Sequence, residues 1–285
     1  MEHTLWPTTK TETRAQPWIV PSTSQNWYSV PAGLVTLAEC YEPISLDQME
    51  DVALLNRVDT KFVMSTGQMM EALQALEQDY WMLSVVGQRL NHYRTLYFDT
   101  PKFDLYLMHV NGRADRYKVR SREYADTHLS FLEVKHRTPK ERTIKERMVT
   151  TYPLTWMTAE AEEWLQGVFP YDSQALEAKL WNSFTRLTLF SKQRSERVSL
   201  DFDLKIKTTS RSTSLDKIAI AEVKMERGNC RSPFMQQMHA MKIHQRGFSK
   251  YCMGVGLLYD DIKKNALKPK LLWLDKMTRG VACYE

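Results

Sequence analysis

Charged and apolar residues alternate along many short stretches of this chain. The clearest stretch is ERVSLDFDLKIK at 196–207, where every second position is apolar. Successive side chains of a β-strand point to opposite faces, so this stretch predicts a strand with one polar and one apolar face. The predicted polar face carries Arg197, Ser199, Asp201, Asp203 and Lys205.

Seven other stretches show the same alternation, or the β-branched and aromatic content that is typical of strands. They are 57–64, 92–100, two runs within 114–137, 143–149, 183–190 and 217–224. Alternation in so many strands favours antiparallel pairing. Eight such strands can close into a barrel whose interior holds side chains or one small ligand.

Helical patterns lie between the predicted strands, so the expected fold class is α+β. Ser65 and Gln68 predict a capping box at the start of one helix, and Ser232 with Pro233 predicts the start of another. The predicted helices cover 45–56, 66–78, 158–169, 173–181 and the residues from 233 onward. The pattern assigns no element to LKPKLLWLDK near the C-terminus.

The alternating strands allow two orientations of a barrel. The apolar faces point inward with the charges in water, or the charges point inward with helices covering an apolar outside. Alternation alone favours the first orientation. The helices favour the second, because each of them needs an apolar surface to cover.

A row of four cations marks the segment ADRYKVRSREYADTHLSFLEVKHR at 114–137. Arg116, Lys118, Arg120 and Arg122 fall on one face of a predicted strand, because they are spaced two residues apart. Most alternating hairpins simply turn their polar face to water. Like charges along one strand repel one another, however, so four in a row indicate a multivalent anion as their neutralising partner.

Composition sets broad limits on the function. The 285 residues are 43% hydrophobic and 26% charged, with a net charge of +5, which permits an anionic ligand without indicating nucleic acid. The four cysteines have no metal-ligand spacing and are expected to be reduced thiols of a cytoplasmic protein. No signal peptide or membrane span is evident. We expect a flexible arm at 1–44, one domain at 45–260 and a C-terminal extension at 261–285.

Nine short motifs occur in an order that resembles the VTC domain, the catalytic domain of polyphosphate polymerases, in its bacterial type. The VTC domain belongs to the CYTH-like triphosphate tunnel metalloenzymes. The resemblance runs from about Ser45 to Leu258. The motifs are RVDTK, YRTLYFDT, RYKVRSREY, FLEVK, TIKER, TR, RVSLDFDL, AEVK and FSKY.

This resemblance implies a closed eight-stranded antiparallel tunnel with a charged interior and helices outside, which binds a triphosphate with Mn²⁺ or Mg²⁺. The implied catalytic residues are Lys61, Lys118, Arg120, Lys135, Arg186 and Arg197. The implied phosphate-binding residues are Arg57, Arg122, Lys145, Ser249 and Lys250, and Arg147 and Lys224 join them because they share strand faces with Lys145 and Glu222.

Glu222 resembles the metal-binding glutamate of the family, and Glu133 is a second candidate. An ion pair of Glu133 with Lys135 or Arg120 is the alternative interpretation. Asp201 and Asp203 are possible additional ligands. The histidines show no ligand spacing, and the aromatic residues Tyr93, Tyr97 and Phe98 are expected to pack in the core.

The resemblance implies transfer of the ATP γ-phosphate to a growing polyphosphate chain. The hydrolytic relatives usually have ExExK in the first strand, where this chain has RVDTK, so Arg57 replaces a potential metal ligand. This substitution argues against the alternative of a tripolyphosphatase or nucleoside triphosphatase, which needs a metal-activated water. A non-catalytic polyphosphate sensor is the third hypothesis. The expected partners are ATP, polyphosphate and a separately encoded membrane protein, without nucleic acid.

Overall fold

The computed structural model describes residues 28–48, 57–140, 142–226 and 232–279, which form one sheet and its covering helices. The strands are β1 (Pro43–Ile44), β2 (Arg57–Ser65), β3 (Tyr80–Leu83), β4 (Asn91–Asp99), β5 (Arg116–Tyr124), β6 (Leu129–Arg137), β7 (Thr143–Thr150), β8 (Glu177–Ser191), β9 (Glu196–Lys207), β10 (Ser212–Leu215) and β11 (Ile218–Glu226). The helices are α1 (Leu34–Cys40), α2 (Thr66–Leu76), α3 (Asp104–Val110), α4 (Ala159–Val168), α5 (Pro233–Ala240), α6 (Lys250–Leu258) and α7 (Lys268–Thr278).

Eight strands form a continuous antiparallel path in the order β2-β11-β9-β8-β4-β5-β6-β7. The α+β class with antiparallel pairing is therefore confirmed. The closed eight-stranded tunnel is not confirmed, because the sheet contains eleven strands and its pairing path ends at β2 and β7 in the described part of the chain. The second edge of β2 is instead met by the loop before α6, where Gln245 bridges to Phe62 and the Arg246 amide donates to the Lys61 carbonyl oxygen.

Helices cover the apolar outer face of the sheet. Apolar residues of β2, β9 and β11, such as Phe62, Leu200 and Val223, are buried in a cluster with α1, α2 and α5. A second outer cluster joins Val119 of β5 and Val134 of β6 to α4. The charged residues that alternate with these side chains therefore face inward, which is the orientation that the helical patterns favoured.

The helix α6 lies against part of the inner face. Its residues Tyr251 and Val255 are buried together with Leu180 and Ile206 of the sheet. A Cβ atom at Gly254 would lie only 3.0 Å from Ile206 Cγ2, so the close approach of this helix requires glycine. The helix fills this part of the interior with apolar side chains, and α3 and α7 add residues to the same cluster.

A β-bulge in β9 corrects one prediction. Asp203 has a positive φ of 51°, and the β8–β9 register shifts between Ser183 and Thr185. The extra residue reverses the alternation, so Leu204 is buried in the inner apolar cluster whereas Phe202 is buried in the outer one. Asp203 and the following Lys205 therefore do not share a face with Asp201, and the Asp203 carboxylate accepts a hydrogen bond from the Ser29 amide at 2.6 Å.

The helix predicted at 173–181 is also wrong, because residues 177–181 belong to β8. Their Ala, Glu, Leu and Lys content favours a helix in isolation. Antiparallel pairing with β4, which runs on to Glu177 opposite Asp99, overrides that propensity. The predicted helix at 45–56 lies mostly outside the described residues, and the capping box of α2 at Ser65 and Gln68 is confirmed.

Residues 34–44, which the sequence analysis placed in the arm, contribute to the folded core. Leu34 and Tyr41 are buried against α2, and the Tyr41 hydroxyl donates to the Leu73 carbonyl oxygen at 2.5 Å. The predictions for residues 1–27 lie outside the described chain. None of the described helices is long and apolar enough to cross a bilayer.

The buried carboxylate of Asp99 ties the sheet to two helices, and this leads to a prediction about stability. Asp99 is fully buried and accepts from the amides of Thr100, Leu105 and Tyr106 at 2.8 Å and from the Tyr251 hydroxyl at 2.5 Å. We expect Asp99→Ala to lower the free energy of unfolding by about 3 kcal/mol, because several buried donors lose their acceptor.

Urea unfolding measures this loss, and Tyr251→Phe is the matched control. The control removes one donor and leaves the backbone bonds of Asp99 intact, so its expected cost is about 1 kcal/mol. Equal costs for the two variants would show that Asp99 does not organise the start of α3.

Candidate functional site

The inner face of the sheet gathers charged side chains from most strands of the main path. Register places Lys61 beside Glu222, Arg186 beside Asp201 and Arg120 beside Glu133. The sheet curves enough to bring Lys135 of β6 and Lys61 of β2 into the lining of one cleft. The structure thus brings together most of the charged residues that the motifs predicted.

Asp201 neutralises two cations of the inner face, Arg186 and Lys250. Arg186 holds the Asp201 carboxylate through two hydrogen bonds, from Nε at 2.5 Å and from Nη2 at 2.8 Å. The Lys250 ammonium also pairs with Asp201. Burial would raise the pKa of Asp201, but the charges of Arg186 and Lys250 outweigh it and hold the pKa below its usual range. Asp201 therefore stays ionised and fixes two of the predicted cations.

Glu133 forms a second neutralising centre and is fully buried. Arg120 donates to its carboxylate from Nε at 2.7 Å, and Lys145 pairs with the other oxygen. Burial acts to raise the pKa of Glu133, but the charges of Arg120, Arg122 and Lys145 lower it to about 2. The observed partners include Arg120, which the sequence analysis named as the alternative to a metal.

Two tyrosines of β4 complete the inner face, and both are buried in the inner apolar cluster, as the sequence analysis predicted. Tyr97 lies opposite Arg120 in the β4–β5 register and stacks on Tyr251 at 4.9 Å between ring centroids. Burial acts to raise the pKa of the Tyr97 phenol, but the cations around it, led by Arg120 and Arg122, lower it. Tyr93 supports Arg186, whose guanidinium lies 4.9 Å from the centre of its ring.

A cleft of about 610 Å³ opens beside these paired centres. Lys118 and Lys135 lie directly opposite each other across β5 and β6, and Lys145 lies opposite Lys135 on β7. Directly opposed like charges are destabilising unless something neutralises them. Only Lys145 of this row pairs with Glu133, so Lys118 and Lys135 face the cleft as a concentration of positive charge.

Burial and crowding weaken the basicity of the lysines in this row. Burial is the largest cause that lowers the pKa of Lys135 to about 7, and the charges of Lys61 and Lys118 lower it further while Glu222 opposes them. Burial likewise lowers the pKa of Lys145 to about 8, against the influence of Glu133. An arriving anion would favour the protonated form of both lysines.

His109 also lines the cleft, and the sequence analysis gave it no role. Burial lowers its pKa to about 2, helped by the charge of Lys118, so the imidazole is neutral. Its Nε2 lies 3.1 Å from the Tyr117 carbonyl oxygen, which indicates a structural position in the cleft wall. No spacing in the sequence could have revealed this, because α3 carries His109 to the sheet through tertiary packing.

Glu222 lies farther from its cation than Asp201 and Glu133 lie from theirs. Its Oε1 lies 3.5 Å from Lys61 Nζ, and its side chain is 20% exposed in the cleft. Burial would raise its pKa, but Lys61, Lys224 and Lys135 lower it to about 2. The described residues contain no group of three His, Cys, Asp or Glu side chains that could hold a metal alone. Glu222 fits a single protein ligand to an ion held mainly by phosphate oxygens and water, as is common for Mg²⁺.

The remaining predicted residues lie on the same strands or at their ends. Arg147 of β7 lies 4.9 Å from the Phe131 ring centre, and Arg197 and Lys224 are directly paired in the β9–β11 register. The Ser249 hydroxyl oxygen accepts a hydrogen bond from the Cys252 amide and thereby caps the N-terminus of α6. Arg57 is the first residue of β2, and its side chain is outside the described part of the structure.

Comparison with solved structures gives distant similarities. A candidate adenylate cyclase from Bacillus halodurans is 13% identical, with a TM-score of 0.48 over 72% of this chain and 98% of that one. HpAC1 from Hippeastrum, described as a candidate adenylyl cyclase with a dominant triphosphatase activity, is 12% identical, with a TM-score of 0.47 over 73% of this chain and 99% of that one. No curated protein matches the chain.

Comparison with protein families gives a match over most of the chain. The VTC domain matches residues 56–259, which include every inner-face strand described above. This range agrees with the span of the nine motifs. The chain therefore belongs to the VTC domain family.

Proposed function

We propose that this chain is a polyphosphate polymerase-type phosphotransferase, which moves the γ-phosphate of ATP onto the end of a polyphosphate chain. The observation that carries the proposal is the opposed pair Lys118 and Lys135 in the cleft. Nearby carboxylates neutralise Arg120 and Arg186, whereas this half-buried pair lines the cleft. A chain of phosphates carries several negative charges close together and could neutralise such a row.

For this reaction the protein has to position the two substrates and stabilise the negative charge of the transferring phosphate. A terminal oxygen of the phosphate chain forms a bond to the γ-phosphorus, the bond from that phosphorus to the β,γ-bridging oxygen breaks, and ADP leaves. The acceptor oxygen is already ionised, so no general base is required. Lys61, Lys118 and Lys135 line the cleft and would stabilise the charge on the transferring group.

The two buried carboxylates act as supports in this proposal. Asp201 holds Arg186 and Lys250, and Glu133 holds Arg120 and Lys145, so the cations keep their positions before the substrate arrives. Such preorganisation reduces the rearrangement that binding would otherwise require. We assign Glu133 to this role, as an ion-pair partner.

Glu222 is the residue that we assign to a divalent metal. Mg²⁺ or Mn²⁺ at this carboxylate would supply further charge to neutralise the phosphate oxygens. Because the described residues offer no cluster of three metal ligands, a metal at Glu222 would be held mainly by phosphate oxygens of the substrate. This arrangement, together with Arg57 in place of a first-strand glutamate, favours transfer to a phosphate chain over hydrolysis by a metal-activated water.

The deciding experiment incubates the full chain with ATP and Mn²⁺ and separates the products on a gel that resolves phosphate chains. We expect long polyphosphate and ADP. Phosphate release without a polymer would establish the triphosphatase alternative. Tight binding of tripolyphosphate with neither product would establish a sensor.

The cleft lysine Lys118 provides the first test of the site. We expect Lys118→Gln to reduce polymer formation at least about a hundredfold, because electrostatic groups at a transferring phosphate contribute several kcal/mol. Lys118 has no carboxylate among its described ion pairs, so its replacement leaves no buried acid without a partner. The unfolding temperature should therefore stay close to that of the wild type.

Lys102→Gln is the matched control, since it removes the same charge from an exposed turn before α3. This variant should keep the wild-type rate. If the two variants had equal rates, the cleft would not be the transfer site.

The depressed pKa of Lys135 gives a second test, through the pH dependence of tripolyphosphate binding. Lys135 loses its proton as pH rises through about 7 in the free protein, whereas a bound anion favours the protonated form. Binding above pH 7 must therefore take up a proton, and affinity falls. The expected fall is about fivefold between pH 7 and pH 8 if the bound lysine stays protonated.

Titration calorimetry against Lys135→Arg isolates this effect, because arginine stays charged throughout the range. Ionisation of tripolyphosphate affects both proteins equally, so the ratio of their affinities reports Lys135 alone. A ratio that is constant from pH 6 to pH 9 would contradict the assignment.

A further inference from the structure

The C-terminal helix α7 lies beyond the region that matches the VTC domain, yet it reaches the cleft. The match ends at residue 259, and α7 spans Lys268–Thr278. Lys270 from this helix lines the cleft, together with Lys118 and Lys135 from the sheet. The sequence pattern assigned no element to this basic segment. In the structure it forms a helix that brings one of its lysines to the cleft.

Packing fixes α7 firmly at this position. Leu267 and Leu274 are buried in the inner apolar cluster beside α6. The Arg246 guanidinium lies 4.2 Å from the centre of the Trp273 ring, which links α7 to the loop along the edge of β2. A Cβ atom at Gly247 would lie 3.6 Å from Lys270 Nζ, so the ammonium group sits against that loop. Lys270 is thus a half-buried part of the cleft wall.

Cationic side chains outnumber carboxylates in the lining of the whole cleft. Seven lysines and arginines line the cleft, against the two carboxylates of Asp59 and Glu222. Arg116 and Arg137 lie directly opposite each other across β5 and β6. They stand two residues along their strands from Lys118 and Lys135, on the side away from Arg120 and Glu133. This outer pair continues the inner cation rows toward the end of the sheet.

We propose that Lys270, with Arg116 and Arg137, forms an outer phosphate-binding subsite for the part of a polyphosphate chain that extends beyond the transfer site. The proposal rests on the proposed function, because it assumes that the inner lysines hold phosphate groups. The outer subsite lengthens the stretch of chain that the protein holds. Lys270 would then determine preference for long chains, while the inner rows bind short and long chains alike.

Titration calorimetry with long-chain polyphosphate and with pyrophosphate tests this division. We expect Lys270→Gln to weaken binding of the long chain about fivefold, as for a partly exposed ion pair, and to leave pyrophosphate binding unchanged. Lys270→Arg should restore the affinity for the long chain, because it keeps the charge. Lys276→Gln removes an exposed lysine from the same helix outside the cleft and should bind both ligands like the wild type.

Each other outcome has a definite meaning when the unfolding temperatures of the variants agree. Equal affinities of Lys270→Gln and Lys276→Gln for the long chain would overturn the outer subsite. An equal loss for pyrophosphate and the long chain would also overturn it, because Lys270 would then act on the inner site. Failure of the wild type to bind either ligand would instead overturn the proposed function.

Discussion

Repulsion among like charges on the inner face of one sheet is the constraint on which this structure depends. A polypeptide can hold many cations together only if something neutralises them. Two buried carboxylates do so at one side of the interior, where Asp201 and Glu133 each bind two cations. The cleft is lined by seven cations and two carboxylates, and the proposed function rests on that difference. The outer helices and the inward helix α6 bury the apolar surface that makes this arrangement stable.

Much of the sheet could be predicted from the sequence because alternation is a local property. The cation row of β5, the capping box at Ser65 and the strand at Arg57–Ser65 depend on residues close in the chain. The choice between charges inside and charges outside needed more than alternation. It followed from the helices, which had to cover an apolar surface, and from the order of the motifs.

The remaining features depend on tertiary contacts that no local pattern records. One extra residue at Asp203 reverses the faces of β9, although the sequence alternates without a break. Pairing with β4 converts 177–181 from a helical composition into strand. The sequence predicts that Tyr97 packs in the core, which it does. Its position beside Arg120 depends on the β4–β5 register, which no local pattern shows. The second edge of β2 is met by the loop before α6, and α7 packs on that loop through Trp273 and Arg246.

The central claim is that a chain of phosphates is the missing neutralising partner of the inner cations. The most direct measurement is the unfolding free energy of the full chain with increasing tripolyphosphate, compared with sulfate at equal ionic strength. A ligand that binds only the folded state stabilises it by about 2.7 kcal/mol at a hundred times its Kd. The account predicts a saturable gain of this kind with tripolyphosphate and a much smaller one with sulfate. Equal gains with both anions would contradict it.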